Sequence, residues 1–420
     1  MFEFNDQHKM IQKMVRQFVE KELEPKVEDI ENGEPPYEIM KKFANTFGIP
    51  GMIDGVWKKR KKKLQAHEAG EEAPAEEKGD DEDGGMEGLG GADPAMAAII
   101  GVELARVSPG FSLALAANTA LYGATVMKKG TWDQQDKWGI PVLKFEKIGA
   151  WAMTEPGAGS DAYGGMCTVA KHDGDGYRIS GEKTFITNAP YADYFTVYAK
   201  IDNNDGTPLR NRPIQCFVVE RGMDGLETSK PFKKMGMHAS PTGAVYLDNV
   251  FVPAENLLGK KEKELSKEQS RDVFSGERSG SPIMALGIIE KCIDQCLKYV
   301  QEREQWGQRI AEFQAVQHRI AKMYVIRENV RNLMFKQLWQ QKHGKVNMTE
   351  ACAAKAYAGQ AAVDVALEAI QIHGGMGYMW ETGLERLMRD AKLLQIGGGT
   401  DDIQYNTIAR ELLRSDRLPS

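Results

Sequence analysis

Apolar residues near the start of the chain recur at helical spacing. Met10, Ile11, Met14, Val15 and Phe18 form one stripe, Asn5 or Asp6 can cap its start, and Glu24-Pro25 ends it. From Ala92 to Lys129 the spacing is helical again, alanine-rich, with Ile99, Ile100, Val102, Leu104 and Ala105 as its larger apolar members. Between Trp151 and about Leu258 the period changes to two. The segments TFITN, DYFTVYAKI, QCFVVE and AVYLDNVFV read as strands, separated by the turn clusters GDG, NNDG and SPTG. Helical spacing returns from Lys263, first with a buried face at Ile289, Cys292, Ile293, Cys296 and Val300, preceded by Pro282, which would kink or start that helix. Further helices are expected over Phe313–His343, Thr349–His373 and Thr400–Leu413. Helices, then strands, then helices predict an α+β multidomain fold: a helical domain over 1–150, a middle β-sandwich or barrel over 151–262, and a helical domain over 263–420.

Charge alters this picture at one place. Lys58 to Lys63 reads KKRKKK, and Glu68 to Asp83 is almost all acid, Ala, Gly and Pro. Such a stretch buries little, so a solvated insertion at about 58–85 is expected, its basic and acidic blocks able to pair. A docking element for a partner or an anionic surface is the functional alternative. Elsewhere the balance is ordinary: 420 residues with a formal net charge of −6 give no positive field for nucleic acid. The chain is long enough to enclose a cofactor. Five cysteines without a C-x-x-C pair suit a reducing compartment. The chain opens directly on an amphipathic helix, and no apolar run reaches membrane-spanning length, so a cytoplasmic location is expected.

The motifs exclude several chemistries. Neither G-x-G-x-x-G nor G-x-x-x-x-G-K-[ST] occurs, which argues against a Rossmann nicotinamide enzyme and a P-loop nucleotidase. H-E-x-x-H, paired C-x-x-C and G-x-S-x-G are also missing, and metal chemistry lacks support. Three groups of loops point the other way. TEPGAGSDA, Thr154 to Ala162, combines turn residues with hydroxyls and reads as a holder of a polar ligand. FITN, Phe185 to Asn188, ends a strand with an aromatic, a hydroxyl and an amide, suited to lying against a flat ring and bonding its edge. QIHGGMGYMWE and QIGGGTDDIQ place Gly runs at helix ends, and a helix start after GGGT would favour a phosphate. Each of these alone also reads as a tight turn. Glu277-Arg278, upstream of Pro282, reads either as a solvated pair near a helix start or as an acid at a site.

With TEPGAGSDA, GYRISGEKTFITN, MGMHASPTGAVYLDNVFVP, REQWG, QIHGGMGY and LMRDAKLLQIGGGTDDIQ in this order and spacing, the chain resembles the acyl-CoA dehydrogenase family over nearly all its length except 58 to about 85. The resemblance implies an α–β–α subunit ending in a four-helix bundle, bound FAD, a homotetramer, and removal of two hydrogens across Cα and Cβ of an acyl-CoA thioester. Electrons would leave through an electron-transferring flavoprotein. Carried over residue by residue, Thr154 and Thr187 resemble the hydroxyls that bond the isoalloxazine edge, Thr187 at N5, which receives the hydride. Phe185 stands where the family usually has Trp, and Ser160 resembles the residue near the pantetheine-phosphate end of CoA. Arg303, Gln305 and Trp306 match the segment that reaches the FAD of a neighbouring subunit. Gln371 and Gly375 match the loop around adenosine, and Thr400 with Asp402 would close over the cofactor.

One departure bears on catalysis. Most of the family carries its catalytic Glu in a Y-E-G-T segment, where this chain has Gly397 and Gly398. A minority, including isovaleryl-CoA and long-chain dehydrogenases, supplies the acid from the helix that here carries Glu277, and the following Arg278 matches too. The resemblance thus implies Glu277 as the α-proton base, with Arg278 and Gly397 lining the substrate and the Gly398 N–H donating to the thioester carbonyl. Two absent side chains leave volume beside the reacting carbons, which favours a branched, cyclic or aryl-bearing acyl group such as an isovaleryl-, cyclohexanecarboxyl- or benzylsuccinyl-like thioester. The alternatives are an acyl-CoA oxidase and a non-catalytic CoA- or FAD-binding subunit.

Overall fold

The first helix, Asp6–Phe18, starts where the sequence gives it a cap: the Asn5 side chain accepts from the His8 N–H at 2.8 Å. Its Val15 and Phe18 face inward against Phe43 of the Tyr37–Thr46 helix. The computed structural model describes residues 4–68, 93–262 and 267–415; side chains of 64–68, 267–277, 279 and 415 lie outside that description.

The basic run does not form a loop. Lys58 to Lys63 belong to the helix Ile49–Glu68, and the expected insertion is helical for at least its first third. Local contacts explain the difference. Trp57 is buried, stacks near Trp132 with ring centroids 4.9 Å apart, and donates to Asp136 at 2.6 Å. Lys61 pairs with the same carboxylate at 2.8 Å, and Arg60 lies over the Trp132 ring. The acidic block falls almost wholly within 69–92, outside the described residues.

The middle of the chain forms a single curled seven-stranded sheet. Its strands are β1 (Gly149–Ala152), β2 (Val169–Asp173), β3 (Gly176–Thr187), β4 (Tyr194–Asp202), β5 (Ile214–Glu220), β6 (Leu226–Thr228) and β7 (Thr242–Pro253). β5 pairs one edge of β4. The other edge of β4 runs parallel to β1 in its first half and to β2 in its second, and β3, β7 and β6 follow. Both faces of β4 are covered, which is why it reads as nearly continuous apolar sequence. Phe195, Val197, Ala199 and Ile201 join the core that contains Val15, Phe18 and Phe111, while Tyr198 joins Tyr122, Val126 and Trp138 on the other side.

The C-terminal helices are Lys267–Glu302, Gln314–Lys342, Met348–His373, Leu384–Leu393 and Asp401–Ser415. The face read from Ile289 to Val300 is buried and continues back through Ile288, Leu286 and Ala285. Pro282 neither starts nor ends this helix, because the first turn lies fifteen residues earlier and the helix runs through the proline.

Candidate active site

At one end of the sheet, β3 carries Phe185 and Thr187 beside the loop that carries Thr154. Pairing of β3 with β7 slips between Lys183 and Ile186 and resumes with Ile186 opposite Gly243 and Thr187 opposite Thr242. The slip holds Phe185 at φ +57°, a conformation that bulky side chains rarely adopt, and leaves the residue 69% exposed. A strained, exposed aromatic at a bulge marks a place where the chain meets something else. Asn188 departs from the reading of the FITN amide as a ring contact. It is fully buried, donates to the carbonyl of Ala114 at 3.0 Å, and accepts from the Tyr37 hydroxyl at 3.0 Å. Its amide joins helices to sheet.

Beneath the same loop lies a pair that sequence reading passed over. Lys183, fully buried, donates to Glu155 Oε1 at 2.8 Å, and Glu155 also accepts from the N–H groups of Cys167 and Thr168 at 2.5 and 3.0 Å. Burial works to raise the Glu155 carboxyl, but the Lys183 charge and these donors outweigh it and hold the pKa below its usual value. Burial brings the Lys183 ammonium down to about 8 against the opposing pull of Glu155, so both groups are charged near neutral pH. The available signal was a lysine placed two residues before an exposed aromatic in a strand, with an acid inside a Gly/Pro turn. Ser160 is exposed on the outer part of that loop, next to Asp161, which pairs with Arg210 at 2.9 Å.

The glycine turn forms the second part. Gly398 and Gly399 lie at φ +66° and +87°, so only glycine adopts this turn without strain. The N–H groups of Gly398, Gly399 and Thr400 have no acceptor among the described residues. The buried Gln404 amide holds the turn from behind, donating to the carbonyls of Gly398 at 3.2 Å and Gly399 at 2.8 Å. A Cβ at Gly397 would meet Leu393 only at an ordinary 3.5 Å, so there is room beside it. The helix that follows carries Asp401 and Asp402 in its first turn, with Asp402 exposed. Its dipole is complemented by its own carboxylates, which disfavours the phosphate expected there.

The Met348–His373 helix links this turn to the helix of Glu277. Lys355, fully buried, donates to Asp401 at 2.9 Å. Arg278, also buried, reaches Met348 Sδ with Nη1 at 2.6 Å, and its charge acts on Cys352 together with that of Lys355. Met348, Cys352 and Lys355 share one face of that helix, so the start of the 267–302 helix and the glycine turn converge on it. Glu277 is the residue before Arg278 in the helix; its side chain lies outside the described residues.

The remaining predicted residues sit elsewhere. Arg303, Gln305, Trp306, Gln371 and Gly375 are all exposed at the far end of the helical bundle, where Tyr299 stacks on His373 with centroids 4.2 Å apart. Gln371 is sixteen residues beyond Lys355 on one helix, about 24 Å away. Trp306, 92% exposed, is held at φ +58°, a second strained and solvent-facing aromatic. A single chain therefore separates this group from Thr400 and Asp402.

Sequence profiles described as the N-terminal, middle and C-terminal domains of acyl-CoA dehydrogenase match residues 5–53 and 80–146, 150–250, and 268–413. The 3-(aryl)acrylate reductase of Clostridium sporogenes is 34% identical across 98% of this chain and 100% of its own length. The caffeyl-CoA reductase-Etf complex subunit CarC of Acetobacterium woodii is 36% identical across 98% and 99%. Among solved structures, butyryl-CoA dehydrogenase from Megasphaera elsdenii superposes with a TM-score of 0.82 at 32% identity, covering 99% of this chain and 100% of that one.

The chain belongs to the acyl-CoA dehydrogenase family.

It is accordingly an oxidoreductase with FAD as its cofactor. The residues present fit that group: an exposed strained aromatic at a sheet end, three successive free N–H groups, and the buried Oε1 of Gln404 with no partner among the described residues. The matched N-terminal segments leave out 54–79, the region that holds most of the basic helix. Among the described residues no helix is long and apolar enough to cross a membrane.

Proposed function

We propose that this acyl-CoA dehydrogenase interconverts an aryl-bearing or comparably bulky acyl-CoA and its 2-enoyl-CoA, with Glu277 as the base at Cα. Bound FAD supplies a two-electron hydride acceptor. In this reading the Glu277 carboxylate would take the α-proton, and the Gly398 N–H would donate to the thioester carbonyl, where negative charge develops. Thr154 and Thr187 would orient the ring, and Phe185 would stack beside it. Arg278 and Gly397 bound the acyl pocket, and Ser160 lies toward the CoA. Arg303, Gln305, Trp306, Gln371 and Gly375 serve the cofactor of a neighbouring subunit, which accounts for their distance from Thr400 and Asp402.

The observation that carries the reading is the glycine turn itself. At φ +66°, position 398 offers a backbone donor and no acid, while the helix of Glu277 converges with that turn on one face of a third helix. The space beside Gly397 and the similarity to two relatives named for arylacrylate and caffeyl-CoA reduction favour a ring-bearing acyl chain. The Etf complex of the second relative supports an electron-transferring flavoprotein as the redox partner.

Anaerobic titration of the holoenzyme with 3-phenylpropionyl-CoA, isovaleryl-CoA and butyryl-CoA tests both parts. Flavin bleaching should be fastest with the aryl thioester. Glu277→Gln should slow bleaching by a factor of about 10²–10⁴ while the enoyl product still binds. Native rates in that variant would remove Glu277 from the mechanism, and rapid reoxidation of the reduced flavin by oxygen would favour an oxidase.

A further inference from the structure

The Glu155–Lys183 pair has no assigned part in the chemistry, yet it joins three segments that meet beside the proposed flavin site. Lys183 Nζ reaches the Met153 carbonyl at 3.2 Å as well as Glu155, and the Thr184 N–H donates to the Thr154 carbonyl at 2.8 Å. Thr154 is therefore held through the carbonyl before it, through its own carbonyl, and through the side chain after it. On β3, Lys183 is the last paired residue before the slip that turns Phe185 outward and sets Thr187 against Thr242. One ammonium group thus fixes the loop that carries Thr154 and the start of the bulge that carries Phe185 and Thr187.

Stability alone does not call for such a pair. Removing two charges from water costs about as much as their attraction returns, and apolar side chains of similar volume fill such space equally well. A buried network with directed hydrogen bonds differs from an apolar plug in fixing orientation. Here Glu155 receives donors from Lys183, Cys167 and Thr168, so the loop is registered against the sheet from both of its ends.

We infer that Glu155 and Lys183 are positioning residues that set the spacing between the Thr154 and Thr187 hydroxyls, and so the fit of the site to the edge of the flavin ring. The inference rests on the reading that those two threonines meet the ring.

The test replaces the pair by an apolar one, Glu155→Met with Lys183→Met, and compares thermal unfolding, FAD affinity on reconstitution, and the visible flavin spectrum. The double variant should unfold within a few degrees of the native protein. FAD affinity should fall roughly tenfold, the flavin bands should shift, and kcat should drop by about 10–100-fold with a smaller change in KM. Glu155→Gln, which keeps the shape and one acceptor, provides the same readings if the double variant does not fold, with a smaller spectral shift in the same direction. Native FAD affinity and spectrum in either variant would overturn the positioning role. Thr154→Val and Thr187→Val should each reproduce part of the spectral shift. If the pair variants shift the spectrum and both threonine variants leave it native, the reading of the hydroxyls fails, and with it this account of what the pair positions.

Discussion

Phe185 and Trp306 show how a single residue can stand out from the fold that carries it. Each is a large aromatic held at positive φ and left mostly exposed, two costs that the fold alone does not require. Phe185→Gly should therefore leave the unfolding temperature no lower than that of the native protein, because relief of roughly 1–2 kcal/mol of strain offsets the added freedom of the unfolded chain. The same variant should bind FAD less tightly, measured by flavin release on dilution. A clear loss of stability would mean that the ring packs for the benefit of the fold. Residue types singled out Phe185 and Thr187 in the sequence as candidates, but the strain at Phe185 was not legible there, because φ at a bulge depends on the register of β3 against β7. Asn188 had the same chemical promise as Thr187 and proved to be an internal brace, since β3 ends at Thr187 and the turn that follows, with Asn188 at φ +68°, buries its amide between helix and sheet.

At the scale of elements, periodicity predicted the helices and strands well because each buries one face, or two for β4, against a defined partner. It failed at the basic run. Six adjacent cations read as solvated coil, yet Trp57, Arg60 and Lys61 fasten that segment to Trp132 and Asp136, seventy or more residues away. Truncating the buried indole in Trp57→Ala should cost about 3 kcal/mol, read by chemical denaturation, through lost burial and a lost hydrogen bond. A cost near zero would show the helix to be held by something else. Pro282 misled for a related reason: proline discourages a helix interior by a few kcal/mol, and the packing of the surrounding 36-residue helix outweighs that preference.

For the whole molecule, one cluster joins the three parts of the fold and gives stability a pH dependence. His238, between β6 and β7, meets Glu31 from the N-terminal region at 2.7 Å, and Arg389 from the C-terminal helices lies 3.5 Å from the same carboxylate. The hydrogen bond to Glu31 raises the His238 pKa above its usual 6.5. Its contribution is therefore complete below pH 6.5 and lost as pH rises through the raised value. Burial works against ionised Glu31, but His238 and the arginines outweigh it and lower its pKa, so its contribution is lost only on acidification below about 4.5. Asp390, buried beside Met237 and pushed up to about 6, completes most of its unfavourable ionisation below pH 7, whereas Lys183 and Lys234, brought down to about 8, begin to lose protons near pH 7 and add stability as pH rises further. Between pH 6.5 and 8 the His238 contribution of roughly 1 kcal/mol is lost against the opposing gain from the two lysines, and His238→Gln should remove that loss and make stability rise more steeply with pH in thermal scans. An unchanged slope would remove His238 as the source of the loss.

The sequence by itself determined the order of helices and strands, the family, and the absence of an acid from the glycine turn. Those features depend on residue type and on spacing along the chain, which folding does not alter. Only the tertiary structure decided that Lys183 and Glu155 tie the loop of Thr154 to β3, that Gln404 holds the turn at Gly398, and that Gln371 lies about 24 Å along its helix from Lys355, the partner of Asp401. These depend on strand register and on which helix faces which, and such contacts join residues far apart in the chain that no local pattern connects.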